Sequence, residues 1–273
     1  MGIKGIPKGT DISQLLFPSE LVLTNVSHTL FELSSTHESR SLYKCQQGPV
    51  SGWALDLFLK EFERHERDFV AILYKRLAGL SGAQTLCGRM FERQVLNHLD
   101  AINNHHKFSI RSLTTSIEME WLYRGPIQRF TFQTSTIIKA IDDAFTCQNS
   151  VHLVPFDPNF PAVDSILYDP DSEVLTCIQV TTHDKHDIKV SGLQRIQRWL
   201  KLQTPLADLR PSNAKPWRFI FIVPSDMSSD FALQKFDGDT VRHSWAGKVD
   251  QYVLGLEEIL IFPKAKRDEA VTI

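Results

Sequence analysis

Apolar residues first recur at helical spacing from about residue 51. Trp53, Leu57, Phe58 and Phe62 form one stripe, and Phe69, Leu73 and Leu77 continue it beyond the charged residues 61–68. Two helices, or one kinked helix, satisfy that pattern. After Gly79 and Gly82 a further helix is predicted over residues 86–102, with Phe91, Val95, Leu99 and Ile102 on one face. Strand-like runs follow at 108–113, 118–123 and 128–132, then a helix over 135–145 and a strand over 151–155. The turn Asp169-Pro170-Asp171-Ser172 joins two short strands into a hairpin. Ser191 and Gln194 form a capping box for a helix reaching about residue 200, with Leu193, Ile196 and Leu200 inward and Gln194, Arg198 and Lys201 outward. Residues 218–224 read as a buried strand, and residues 253–262 close the fold. The pattern predicts an α/β protein with a helical, partly extended N-terminal addition. Residues 1–50 form an extension: an alternating run at 21–33, then a polar stretch at 34–47 without clear period. Residues 51–263 form the main domain and 264–273 a charged tail.

The hairpin carries the candidate chemistry. Pro161-Ala162-Val163-Asp164 precedes one strand, and Gln179-Val180-Thr181 ends the other, fifteen residues after the aspartate. If Tyr168 pairs with Glu173, Asp164 lies opposite Cys177 and diagonal to Gln179. Alternation then puts Cys177, Gln179 and Thr181 on the site face and sends Ile178 and Val180 into the core. A slip of one residue would reverse this. A carboxylate beside an amide oxygen suits a hard cation, Mg²⁺ or Mn²⁺, which takes oxygen ligands and keeps waters and substrate phosphate oxygens. Glu92, next to the core residue Phe91 and one turn after Gly88, supplies a third oxygen. Taken singly, these residues have plain alternatives: a solvated helix glutamate, a turn aspartate, an exposed strand face. Their order and spacing together favour a site.

A helix carrying Gly-x-x-Phe-Glu (Gly88, Phe91, Glu92), a strand aspartate (Asp164), Gln-x-Thr (Gln179, Thr181) and a following histidine (His186) resemble the restriction-endonuclease-like nuclease domain of Crinkler and RHS-type eukaryotic effector toxins, a branch of the PD-(D/E)XK superfamily. The resemblance covers residues 51–262 and is most specific over 160–197. It implies a restriction-endonuclease-like core, a central mixed sheet flanked by helices, that cleaves DNA with a divalent metal, often behind a P-loop ATPase module. Gly5-Ile6-Pro7-Lys8-Gly9-Thr10 lacks the phosphate-cradling order, so the chain looks like the toxin domain alone or a truncated architecture. Most of the superfamily has Glu-x-Lys where this sequence has Gln179 and Thr181. The site thereby loses a negative charge and the lysine that would orient the attacking water, and its metal affinity falls. Thr181 and His186 are then candidates for water or phosphate contacts, and Lys185 and Lys189 for charge stabilisation.

Charge bears on the partner. The formal net charge is −2, but residues 185–218 carry eight basic side chains against two acidic ones, a local excess of six positive charges next to the site. Lys189, Arg195, Arg198 and Lys201 are the expected phosphate contacts, which position a duplex without reading its sequence. The expected partner is therefore nucleic acid, double-stranded DNA by resemblance; a protein partner could engage the N-terminal extension. Cys45, Cys87, Cys147 and Cys177 are widely spaced, and neither His183-Asp184-Lys185-His186 nor His105-His106 has cysteine partners for zinc. A reducing, intracellular setting is expected. No segment approaches membrane-spanning length, and the first residues lack the apolar core of a signal peptide. A nuclear role comes through the resemblance alone. Two other functions fit the same residues: a catalytically inactive module that binds nucleic acid, and an interaction protein with the core as scaffold.

Overall fold

The computed structural model describes residues 31–35, 45–49, 59, 70–78, 84–102, 106–123, 150–154, 160–169, 174–201, 208–237 and 245–262. The predicted strand at 128–132, the predicted helix at 135–145, most of the 51–69 pattern and the tail lie outside them. Backbone contacts divide the chain into two units, Met1–Met90 with Phe262–Ile273, and Phe91–Ile261. The division falls inside a helix.

In the first unit, β1 (Phe31–Ser35) pairs antiparallel with β2 (Cys45–Pro49), so the stretch 34–47 that shows no clear period contributes to both strands. α1 (Val70–Ala78) buries Leu73 and Leu77 as its stripe requires, and the Tyr74 ring stacks on Phe262 with centroids 4.4 Å apart.

The second unit begins within α2 (Gln84–Ala101), whose Phe91, Val95 and Leu99 are fully buried. Its strands are β3 (His106–Ser112), β4 (Glu118–Tyr123), β5 (Val151–Leu153), β6 (Ser165–Asp169), β7 (Val174–Val180), β8 (Trp217–Pro224) and β9 (Val249–Leu256). They form one mixed sheet in the order β4-β3-β9-β8-β7-β6-β5. β7, β8 and β9 run parallel; the other pairs are antiparallel. α3 (Val190–Lys201) connects β7 to β8, as a parallel pair requires. The closing segment differs from expectation. Eight residues of β9 align with β8, from Val249 opposite Trp217 to Leu256 opposite Pro224, and the chain then turns into the short helix α4 (Glu258–Ile261).

Strand alternation assigns the two faces. One carries Cys177, Gln179, Phe219, Phe221 and Val253; against it pack Leu193, Ile196, Trp199 and Leu200 of α3, all in one apolar cluster. The other carries Ile178, Ile220, Tyr252, Phe108 and Tyr123. On that face the Tyr123 hydroxyl, from edge strand β4, lies 3.4 Å from His152 Nδ1 of the opposite edge strand β5, and 3.3 Å from the Leu99 carbonyl of α2. The sheet therefore curls until its two edges approach each other, with the end of α2 beside the contact.

α3 meets the site segment at Gly192. A Cβ on this residue would stand 1.9 Å from the Pro161 carbonyl oxygen and 2.9 Å from the Ala162 Cβ. Hydrogen at that position lets helix and loop touch backbone to backbone. In an ordinary helix interior Gly→Ala stabilises by about 1 kcal/mol. Here the expected sign is opposite: Gly192→Ala loses about 3 kcal/mol of unfolding free energy in urea titration, whereas exposed Gln194→Ala stays within about 0.5 kcal/mol.

Candidate metal centre

Asp164 and Gln179 come together at the carboxyl end of β7. The hairpin register places Asp169 opposite Val174 and Ser165 opposite Ile178, so Asp164 falls directly opposite Gln179 rather than Cys177. This corrects the expected pairing of Tyr168 with Glu173 by two residues. The two-residue shift preserves the shared face. Oδ2 of Asp164 accepts from Gln179 Nε2 at 2.7 Å and from the Val180 backbone N–H at 2.6 Å, while the Asp164 N–H donates to the Ile178 carbonyl at 2.9 Å. A carboxylate here would repel Asp164; the neutral amide binds it instead, through a charge-assisted hydrogen bond.

The loop before Asp164 is held under strain. Ala162 has φ of 77°, a left-handed conformation that costs an L-residue about 1–2 kcal/mol. Such strain persists where the surroundings over-determine the backbone. Gly192 on one side and the Asp164 hydrogen bonds on the other do this.

The site face of β7 is more enclosed than alternation suggested. Cys177 is fully buried beneath α3, Gln179 is 7% exposed and Thr181 5%. Both faces of this strand belong to the core: it lies inside the sheet between antiparallel β6 and parallel β8, and residues 175–180 are all buried. At the carboxyl end of the strand the facing Asp164 is half-buried. Burial pushes the Cys177 thiol up from its ordinary range and the Cys87 thiol up to about 11, so both stay protonated at neutral pH and neither suits metal binding.

Thr181 turns the chain away from the sheet: its N–H donates to the Ile222 carbonyl, and its Oγ1 accepts from the His183 N–H at 3.1 Å. The loop that follows is tied to residues 231–237. Gln234 Oε1 accepts from the His186 N–H at 2.6 Å, and its Nε2 donates to the Asp184 and Ala232 carbonyls. Gln251 in turn brackets the Gln234 backbone, accepting from its N–H and donating to its carbonyl. Asp237 Oδ1 accepts from the Val190 N–H, so α3 is capped across the fold and begins one residue before the expected Ser191 cap. Gln234, Gln251, Asp237 and Gly192 escaped sequence reasoning. Apart from Ala232, the partners of the three polar ones lie 17 to 50 residues away along the chain, and no local motif marks such a distance.

Lys185 and Lys189 are exposed, and His186 is half-buried on the same loop. Gln194, Arg198 and Lys201 are exposed on α3, which agrees with the outward face read from the helical pattern, and Arg195 is half-buried. Arg218 belongs elsewhere: it is on the opposite face of the sheet, half-buried, with Asp169, Asp250 and Tyr252 near its charge. Glu92 is half-buried on α2, the helix whose Leu99 lies against the Tyr123 face. A cage of three oxygens therefore requires Glu92 to reach past the strand ends. Among the described residues no group of three or more His, Cys, Asp or Glu side chains is arranged to hold a metal ion. An ion at Asp164 would complete its shell with amide oxygen, water and substrate oxygens.

No family model, no curated protein and no solved structure matches this chain. The protein is of the α/β class, with a mixed, curled sheet. Among the described residues no helix is long and apolar enough to cross a membrane.

Burial, and then the charges of His183 and Lys189, lower the His186 pKa below its ordinary 6.5, with Asp187 opposing. The neutral ring is thus the favoured form in the folded protein. As pH falls below about 6.5 the unfolded chain takes the proton first, so His186 subtracts from stability there and adds no pH dependence above. An NMR titration of its ring should give a midpoint under about 6.5; a midpoint above that value contradicts the enclosure described.

Proposed function

We propose that this chain is a divalent-metal-dependent nuclease that hydrolyses nucleic-acid phosphodiesters, in DNA, with a restriction-endonuclease-like core of the Crinkler/RHS effector-toxin type. The observation that carries the reading is the Asp164–Gln179 pair, fixed by two N–H donors at the end of a parallel strand beside a helix with a basic outer face. Ligand sites in open α/β sheets form outside the carboxyl ends of parallel strands.

Asp164 and the Gln179 amide oxygen, joined by Glu92, would hold Mg²⁺ or Mn²⁺. The donor set fits a hard cation held with modest affinity, since Gln179 can give Nε2 to Asp164 and keep Oε1 for the ion. When bound, the ion would lower the pKa of a coordinated water and neutralise charge on the scissile phosphate. The chain's own groups do the rest. His186, kept neutral by burial, is suited to take a proton from the attacking water. The Thr181 hydroxyl, which accepts from His183, keeps its own proton for a water or phosphate oxygen. Lys185 and Lys189 offer exposed positive charge on the same loop, and Arg195, Arg198 and Lys201 meet the flanking phosphates.

One observation favours a second reading, a catalytically inactive module that binds nucleic acid or a protein partner. Asp164 Oδ2 already accepts two hydrogen bonds, so the pair is complete without an ion. A supercoiled-plasmid assay with Mg²⁺ or Mn²⁺ separates the two. Nicking by the wild type, reduced at least about 100-fold in Asp164→Asn with an unchanged melting curve, supports the enzyme. Plasmid binding without nicking supports the module, and no interaction with the plasmid sinks both.

A further inference from the structure

The segment 160–164 ends in the candidate metal ligand and begins beneath an arginine. Phe160 and Trp199 are both buried, with ring centroids 5.6 Å apart. The Arg195 Cζ lies 4.9 Å from the Phe160 centroid and 5.4 Å from that of Trp199. Two buried rings thus form a floor under the guanidinium, and cation–π attraction holds it there. Among the described residues, no hydrogen bond or ion pair takes the N–H groups of Arg195. Its neighbour on the outer face differs: Arg198 is exposed and turns its Nε back to the Gln194 carbonyl of its own helix, at 3.4 Å. Lys201 is exposed as well.

We infer that Arg195 is a pre-oriented phosphate receptor, which binds two oxygens of a nucleic-acid phosphodiester through its guanidinium edge and so positions the backbone relative to Asp164. The inference rests on the nucleic-acid reading above and assigns unequal parts to the basic residues of α3. A planar fork stacked on aromatic faces matches two phosphate oxygens at once, which a lysine ammonium does not. Its ordering cost is met before binding, because the rings already restrict the side chain. The link to Asp164 is short and stiff: Gly192 clamps Pro161, Ala162 is conformationally strained, and Asp164 is bonded to β7. Arg198 and Lys201 then contribute unspecific charge. The plain alternative is that Arg195 only covers apolar ring surface, as long basic side chains often do.

Fluorescence anisotropy of a labelled DNA duplex, in EDTA to prevent hydrolysis and across a salt series, decides between these. Arg198→Lys, which keeps its charge, should weaken binding by no more than about twofold. Arg195→Lys should bind about tenfold more weakly at every salt concentration, since it loses a charge-assisted bidentate contact but keeps its charge and hence the salt slope. Arg195→Met, which still covers the rings, should bind more weakly again with a slope shallower by about one. All three should melt with the wild type. Equal affinities for Arg195→Lys and Arg198→Lys, or a loss in Arg195→Lys matched by a fall in melting temperature, overturn the inference. A wild type that binds no duplex overturns the inference and the nucleic-acid reading together. A wild type that shows the Arg195 pattern but never nicks plasmid leaves the inference standing and removes only the hydrolase.

Discussion

One carboxylate oxygen, Oδ2 of Asp164, joins the start of β6 to the end of β7 by accepting the Gln179 amide and the Val180 N–H. Much of the surrounding architecture serves to deliver it. The loop that brings it passes through a left-handed alanine and is pressed by α3 at a glycine whose missing side chain lets two backbones meet. A helix so closely seated has its outer face fixed as well, so the basic residues of α3 are registered against the aspartate through covalent and van der Waals contacts rather than through long-range attraction.

The amide at position 179 changes the electrostatics of such a site. Two carboxylates this close would repel in the absence of a cation, raising the pKa of one of them. An aspartate paired with glutamine suffers no such repulsion and stays assembled without an ion. The cost is weaker cation binding, since neutral oxygen holds a divalent ion less firmly than a carboxylate does. The buried network behind the loop works in the same direction. Gln234 and Gln251 hold the 184–186 backbone by hydrogen bonds that involve no charged side chain, which leaves the charges of Lys185 and Lys189 for solvent or a ligand.

The elements with strong periodicity were legible in the sequence: α2 from Phe91, Val95 and Leu99, and α3 from Leu193, Ile196 and Leu200. The pairing of Asp164 with Gln179 on one face was legible for a weaker reason. Alternation survives any even register shift, so the face came out right although the opposite residue did not. What the sequence could not show depends on distant contacts. The enclosure of Gln179 and Thr181 comes from α3 and from β6 and β8 on either side of β7, and the extended β9 comes from eight residues in register with β8. The α3 cap is supplied by Asp237, which overrides the local Ser191 motif because a carboxylate can reach the Val190 N–H across the fold. The Tyr123–His152 contact between opposite sheet edges, with the end of α2 beside it, has no sequence signature at all.

The central claim is that Asp164 and Gln179 together form a hard-cation site, and titration of Mn²⁺ followed by electron paramagnetic resonance tests it most directly. The account predicts weak, saturable loss of the free-ion signal with the wild type, its disappearance in Asp164→Asn, and markedly tighter binding in Gln179→Glu, where a second carboxylate enters. Binding that ignores both substitutions, or no binding even when position 179 carries a carboxylate, contradicts it.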